Sequence, residues 1–339
     1  MIERASSQNT KMKAIVRREY GSPDVLDVEE IDVPVIEDGE VLVRVHAVSV
    51  NPVDWHTLTG WPYLVRLQGG LRRPKDPQLG VDYAGTVVEV GGAVTRFRPG
   101  DEVFGCRNGA FAEYVRAREE RAIVGKPANL SFEDAAAVGV AGLTALQGLR
   151  DKGHLQQGQK VLVNGASGGV GTYAVQIAKA LGAEVTGVCS TRNVELVRSL
   201  GADHVVDYTR EDFTRQDRRY DLLLDIAGGR SWSECKSVLR PEATLVQVGG
   251  PKRNRFTGIS LVSVAAPRLG ALFGSRDVTM FLAKTNKEDL TFLLDLLEAG
   301  KLTSAIDRRY DGLAEVPEAL AYLGEGHARA KVVVTFAVD

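Results

Sequence analysis

KVLVNGASGGVGTYAVQIAKALGA, residues 160–183, decides the fold. Lys160–Asn164 is a short apolar run that reads as a buried strand. Ala174, Ile177, Ala178 and Leu181 then recur at the spacing of one helix face, and Gly182 follows as a stop. Between strand and helix lie Gly165, Ala166, Ser167, Gly168, Gly169, Val170 and Gly171. Glycines allow a tight turn there and let backbone N–H groups approach a pyrophosphate. The helix N-terminus adds a partial positive charge. Ala166 replaces the first glycine of the GxGxxG fingerprint with the next smallest residue. A purely structural turn is the competing reading. The strand–loop–helix context favours a dinucleotide loop.

Downstream, strand runs at Glu184–Cys189, His204–Asp207, Leu222–Ile226, Thr244–Val248 and Val278–Leu282 alternate with helical patterns. Such alternation implies crossover units and one doubly wound parallel sheet. The second strand ends Val188-Cys189-Ser190-Thr191-Arg192. An NAD site usually places Asp or Glu there for the ribose hydroxyls. This chain offers two hydroxyls and a guanidinium instead, which points to NADPH. For Arg192 the alternative is a solvated helix-start residue. Lys179 and Tyr208 are weaker candidates near the phosphate and adenine, and Lys179 also reads as a surface lysine.

Upstream the texture is different. KAIV, EVLVRVHAVSV, GTVVEVG and DEVFG are short β segments divided by Gly and Pro. Arg44 and His46 alternate with Val43, Val45 and Ala47 in the period of a half-buried strand. A helix near Lys287–Ala299 precedes a last strand, Lys331–Phe336. The expected organisation is a β domain from 1–137 and 286–339, interrupted by an α/β cofactor domain from 138–285.

At roughly 150 residues per domain, 339 residues fit about two domains. Apolar residues at 44% and charged residues at 25% argue against a largely disordered chain. A net charge of −2 lacks the basic excess of a general nucleic-acid binder. Cys106, Cys189 and Cys235 are odd in number and form no CxxC pair, so neither a disulfide framework nor a four-cysteine zinc site is expected. Residues 258–273 are apolar, but Pro267 and Arg268 interrupt them and they are too few to span a bilayer. MIERASSQNT has no apolar core of a secretory signal. These features predict a cytoplasmic protein with a small-molecule substrate and no nucleic-acid or membrane partner.

Five segments of the first half carry a family resemblance: AVSVNPVDW (47–55), GVDYAGTVVEVG (80–91), FRPGDEVFG (97–105), GAFAEYV (109–115) and GVAGLTAL (139–146). The second half adds the glycine loop, VCSTRNVELVRSLGADHVVDY (188–208), VQVGGP (246–251) and EVPEALAYLGEGHARAKVVV (315–334). Together they resemble the medium-chain dehydrogenase/reductase superfamily, and within it the zinc-free, NADPH-dependent quinone oxidoreductase-like branch. The resemblance covers nearly the whole chain from Met12. It implies an α/β protein with a GroES-like β-barrel catalytic domain and a Rossmann domain, substrate in the cleft between them, and a homodimer. It carries over Thr144 as a residue near the nicotinamide and Gly249, in VQVGGP, as a cofactor contact.

In zinc-dependent relatives, Cys and His hold the catalytic metal. The places that resemble theirs are Asn51, Val81 and Val140, which offer no thiolate or imidazole, so no metal is expected. His46 and His56 do not make a ligand set. Without a Lewis acid, alcohol oxidation is disfavoured, whereas a quinone or enone spreads charge onto its own carbonyl oxygen. Asn51 is the first candidate to orient that carbonyl or a water; the alternative is a structural strand-end residue. His56 is a candidate proton donor, or a surface histidine. Tyr63 resembles the acid of enoyl reductases, with the spacing off by one residue. Asp54 reads as ordering its own loop. Trp61–Pro77 is either a substrate-selecting lid or a solvated loop. Leu261–Phe273, including Val264 and Leu272, lines a pocket or packs in a core or interface. Arg253 and Arg255 are weak phosphate candidates. The leading expectation is an NADPH-dependent reductase of quinones or α,β-unsaturated carbonyls. An enoyl-thioester reductase and a non-catalytic NADPH-binding protein are the alternatives.

Overall fold

The computed structural model describes residues 10–248, 277–326 and 328–336. β1 (Lys11–Arg17) and β2 (Leu26–Asp32) pair as an antiparallel hairpin. The long strand β3 (Glu40–Val50) leads into α1 (Pro52–Thr59) and α2 (Leu64–Gly69). Then come β4 (Asp82–Val90), β5 (Glu102–Cys106), β6 (Tyr114–Arg118) and β7 (Ile123–Gly125). Half-buried Arg44 and His46 alternate with buried Val43, Val45 and Ala47 in the middle of β3, and β6 alternates likewise, whereas the rest of β3 and most of β4 and β5 are buried throughout.

The helix α1 departs from the all-strand expectation for this half, and its start is a local signal. Asn51 is the N-cap, Pro52 occupies the first turn, and Asp54 at the third position accepts the Asn51 N–H at 2.7 Å. Proline costs little there because its missing N–H has no helical acceptor. The Asp54 contact is one half of a capping box.

α3 (Phe132–Ala136) and α4 (Gly139–Leu146) lead into a π-helical turn, Gln147–Lys152. The second sheet follows: β8 (Lys160–Asn164), α5 (Gly169–Ala180), β9 (Glu184–Cys189), α6 (Val194–Ser199), β10 (His204–Asp207) and β11 (Tyr220–Asp225). It continues with α7 (Trp232–Ser237), β12 (Leu239–Gln247) and β13 (Asp277–Met280). Its spatial order is β10-β9-β8-β11-β12-β13, every pair parallel. The order reverses between β8 and β11, and ligands of such sheets bind outside the strand ends at that reversal.

α8 (Lys287–Glu298), β14 (Ile306–Asp311), α9 (Val316–Gly324) and β15 (Lys331–Thr335) complete the described elements. β15 pairs antiparallel with β3, Val332 opposite Val50, so the chain's end returns to the first sheet. That sheet runs β14-β15-β3-β4-β5-β7, with β6 also on β3. One hydrophobic core crosses the seam: Ala84 and Phe104 of the first sheet belong to the same cluster as Leu143, Val163 and Tyr173. Side chains of both sheets therefore share one core.

Candidate active site

The glycine loop lies at that reversal. Gly165 has φ +90°, and a Cβ on Gly171 would come within 2.1 Å of the Gly165 carbonyl oxygen. Both positions therefore demand glycine. Gly168 caps α5 without a side-chain hydrogen bond, whereas Ser231 and Asn286 cap α7 and α8 with theirs. The first N–H groups of α5 are left for another acceptor, the arrangement an anion requires. Val170 and the buried Ala166 complete the loop. Asn164 Nδ2 donates to Asp225 Oδ1 at 2.7 Å across the reversal, and burial raises the Asp225 carboxyl above its ordinary range.

Asn193, absent from the sequence candidates, ties the loop to the end of β9. Its Nδ2 donates to Ser167 Oγ at 3.0 Å and Ser190 Oγ at 3.2 Å. Thr191 and Arg192 follow in an exposed turn. The expectation of no carboxylate beside this turn is corrected by Asp207, which the parallel pairing of β10 with β9 sets opposite Cys189. Thr191 Oγ1 lies 2.5 Å from Asp207 Oδ2, and this hydrogen bond holds the Asp207 carboxyl below its usual range. Tyr208 is exposed, with its backbone N–H on the Cys189 carbonyl. Lys179 is committed elsewhere: its Nζ lies 2.8 Å from both carboxylate oxygens of Asp203, as the surface alternative had it. Thr144 is buried on α4 and donates to the Val140 carbonyl at 2.6 Å. Gly249, Arg253, Arg255, Val264 and Leu272 lie outside the described residues.

The catalytic candidates divide into a buried group and an exposed one. Asn51, Asp82, Asp54, Ser49, Cys106 and Lys331 form a buried network where the two sheets meet. Asp82 Oδ2 accepts from Ser49 Oγ and Asn51 Nδ2, each at 2.9 Å. Its Oδ1 accepts the Val140 N–H at 2.8 Å and the Cys106 thiol at 3.4 Å. Lys331 Nζ donates to Asn51 Oδ1 at 2.5 Å and stands 3.6 Å from Asp82 Oδ2. The second hydrogen of the Asn51 amide goes to the Ser49 carbonyl. Both amide hydrogens of Asn51 are thus spent within the protein, which corrects the picture of a free amide waiting for a carbonyl. Burial raises the Cys106 thiol well above its ordinary range, lowers Lys331, and with the Asp82 charge pushes Asp54 up to about 7.

Lys331 also borders the glycine loop: its Cδ would lie 3.3 Å from a Cβ placed on Gly169. Neither Lys331 nor Asp82 was a sequence candidate. The available signal was a single charge opening an otherwise apolar strand, KVVVTF.

His56 and Tyr63 are exposed, on α1 and just before α2. His56 Nδ1 lies 2.7 Å from the Trp61 carbonyl oxygen, so that nitrogen carries the proton. Tyr63 packs edge-on against Trp61, centroids 5.1 Å apart, under the Arg66 guanidinium. The segment expected as a lid or solvated loop therefore contains a helix and aromatic packing.

Among the described residues no group of three or more His, Cys, Asp or Glu is placed to hold a metal ion. Residues 37–128 match the alcohol dehydrogenase GroES-like domain, and residues 200–334 match a family described as zinc-binding dehydrogenase. The chloroplast envelope quinone oxidoreductase homolog of Arabidopsis thaliana is 33% identical, covering 95% of this chain and 98% of that protein. The mitochondrial NAD(P)H oxidoreductase RTN4IP1 of Mus musculus is also 33% identical, covering 98% and 91%. The 2-methylene-furan-3-one reductase of Solanum lycopersicum is 34% identical, covering 96% and 79%. Among solved structures, the quinone oxidoreductase of Coxiella burnetii superposes with TM-score 0.81 at 32% identity, covering 96% of this chain and 99% of that one. The Escherichia coli quinone oxidoreductase complexed with NADPH superposes with TM-score 0.80 at 25% identity, covering 95% and 99%.

The expectation of a cytoplasmic protein is overturned by these relatives, which by name include chloroplast and mitochondrial oxidoreductases. The full-length similarity, the GroES-like match and the parallel sheet with its glycine loop agree. The chain belongs to the medium-chain dehydrogenase/reductase superfamily, in its quinone oxidoreductase-like branch.

Proposed function

We propose that this chain is a zinc-independent, NADPH-dependent oxidoreductase that transfers hydride to a quinone or an α,β-unsaturated carbonyl compound. The observation that carries the reading is the Asn51–Lys331–Asp82 network, built around a position that resembles a metal-ligand place of zinc-dependent relatives and bordering the glycine loop. Relatives named quinone oxidoreductase and 2-methylene-furan-3-one reductase, and a related structure complexed with NADPH, support it.

The residues present fit the cofactor. The loop N–H groups from Gly169 to Gly171 would receive the pyrophosphate, with the Lys331 side chain bordering the loop at Gly169. Ser190, Thr191, Arg192 and Tyr208 would surround the 2′-phosphate and adenine, and Thr144 would pack near the nicotinamide. Bound NADPH supplies the hydride. The protein's part is distance, facial selection and the proton. Asn51 and Asp82 are held in place by hydrogen bonds among buried groups. His56 donates Nδ1–H to Trp61, so its neutral ring presents a lone pair at Nε2. His56 is the first proposed proton source, and its side chain is exposed to solvent. Tyr63 is the second proton source, and its phenol also reaches solvent.

We further propose the division into 1–137 with 286–339 and 138–285, and a homodimer as the working assembly. Loss of NADPH absorbance tests the activity against a benzoquinone, an alkenal, a cyclic enone, an enoyl thioester and a saturated aldehyde. Turnover of quinone or enone without the saturated aldehyde is expected, with well under one zinc per purified chain. Tight NADPH binding without turnover of any acceptor overturns the reading in favour of a binding protein.

A further inference from the structure

Tyr63, Leu64, Leu67 and Leu71 are between 59% and 67% exposed. Leu64 and Leu67, at i and i+3, share one face of α2, and Leu71 follows just past the Gly70 cap that ends the helix. Val35 and Leu282 are exposed singly elsewhere, and isolated cases of that kind are ordinary. Four neighbouring ones are a patch.

The patch is held outward. Arg66 stacks over Tyr20 at 4.4 Å and over Tyr63 at 4.8 Å, and its Nε donates to the Gly60 carbonyl at 3.1 Å. The Tyr20 hydroxyl donates to the Gly70 carbonyl at 2.7 Å. Folding the leucines inward would break these anchors. Directly after the patch come Arg72, Arg73 and Lys75, all exposed and without an acidic partner among the described residues. Asp76, the single acid of 61–77, is hydrogen-bonded by Asn108 Nδ2 at 2.5 Å and by the Gln78 N–H at 3.0 Å.

Exposed apolar side chains beside uncompensated basic residues suit a surface that yields to protruding side chains and carries negative charge. A protein partner would have to offer a matching groove. A second copy meeting this patch about a two-fold axis would bring basic tip towards basic tip. We propose that α2 and the tip that follows dock this protein peripherally on an anionic lipid bilayer. No helix among the described residues is long and apolar enough to cross a membrane, so the contact is with the surface. The proposal goes beyond the expectation of no membrane partner, and it does not depend on the reaction proposed above. Docking would set the His56 and Tyr63 side of the molecule at headgroup level.

Co-sedimentation of the full chain with vesicles tests the proposal, comparing phosphatidylcholine alone with phosphatidylcholine plus phosphatidylglycerol. Pelleting is expected with the anionic vesicles only, weakening as salt is added. The double variants Leu64→Asp/Leu67→Asp and Arg72→Glu/Arg73→Glu should each lower the partition coefficient by about ten-fold or more. Circular dichroism and thermal melting should match the parent, because the altered side chains are exposed. Equal pelleting with neutral vesicles, or undiminished pelleting of both variants, overturns the proposal. So does failure to pellet together with a changed oligomeric size of the leucine variant in lipid-free buffer, which would make the face a contact between copies.

Discussion

Lys331 Nζ donates to Asn51 Oδ1 at 2.5 Å, joining residues 280 positions apart. Antiparallel pairing of β15 with β3 sets Val332 opposite Val50, so the residue before one meets the residue after the other. Asp82 enters from β4 on the other side of β3, where it pairs with Ser49. Three strands thus converge on one buried ammonium and one buried carboxylate.

Removing one partner of this pair should be costly. Lys331→Met leaves Asp82 buried without its cation, and a loss of about 3–5 kcal/mol in unfolding free energy is expected. The double variant Lys331→Met/Asp82→Asn should be less damaging than the sum of its parts. Urea unfolding of Lys331→Met, Asp82→Asn and the double variant, beside the parent, measures the coupling.

The glycine loop separates fold from cofactor contact. Gly171→Ala places a Cβ 2.1 Å from the Gly165 oxygen, so the loop must shift and NADPH affinity should fall by about ten-fold or more. At Gly168 the nearest atom to an added Cβ is 3.6 Å away, an ordinary contact. Gly168→Ala should keep the parent melting temperature, with any defect confined to NADPH affinity. Melting curves with and without NADPH distinguish the two.

Asp54 should give stability a pH dependence. Its carboxyl is pushed up to about 7 in the folded protein by burial and the Asp82 charge, against about 3.9 for a free side chain. The folded state binds the proton more tightly, so stability falls as pH rises between those values. The penalty is absent below the unfolded value and complete above the folded one. Asp54→Asn keeps an acceptor for the Asn51 N–H and cannot ionise. Its unfolding free energy should lack this decline, by about 1 kcal/mol or more across the window. Urea titrations at about pH 4 and about pH 8 check the sign.

Arg192→Ala tests cofactor choice. NADPH should bind about ten-fold more weakly, with NADH little changed, because a charge-assisted contact to phosphate contributes roughly 1.5–3 kcal/mol. An equal effect on both cofactors removes Arg192 from the 2′-phosphate. Asp207→Asn should move the ratio in NADPH's favour by relieving repulsion beside Thr191.

The proton supply proposed above rests on two exposed side chains, His56 and Tyr63. His56→Ala should lower kcat by about a hundred-fold with NADPH affinity unchanged, while Tyr63→Phe should change it by less than about three-fold. The reverse pattern would place the acid at Tyr63.

Local periodicity and turn chemistry were enough for the doubly wound sheet, its loop and the return of the last strand. Each depends on residues within a few positions of one another. Asn51-Pro52-Val53-Asp54 carried a helix start as well, in a region whose other segments read as strands. The resemblance located the corner at Asn51, and it could not show that both amide hydrogens there are already used.

By itself the sequence determined which side chains are available: glycines where phosphate must approach, hydroxyls and an arginine after the second strand, and no thiolate or imidazole at positions 51, 81 and 140. Only tertiary structure decided how they combine. Asp207 reaches Thr191 because parallel strands align their ends, and Asn193 bridges Ser167 and Ser190 because two loops leave adjacent strands. Lys331 meets Asn51 and Asp82 because strand register, which no local pattern encodes, sets three distant segments side by side.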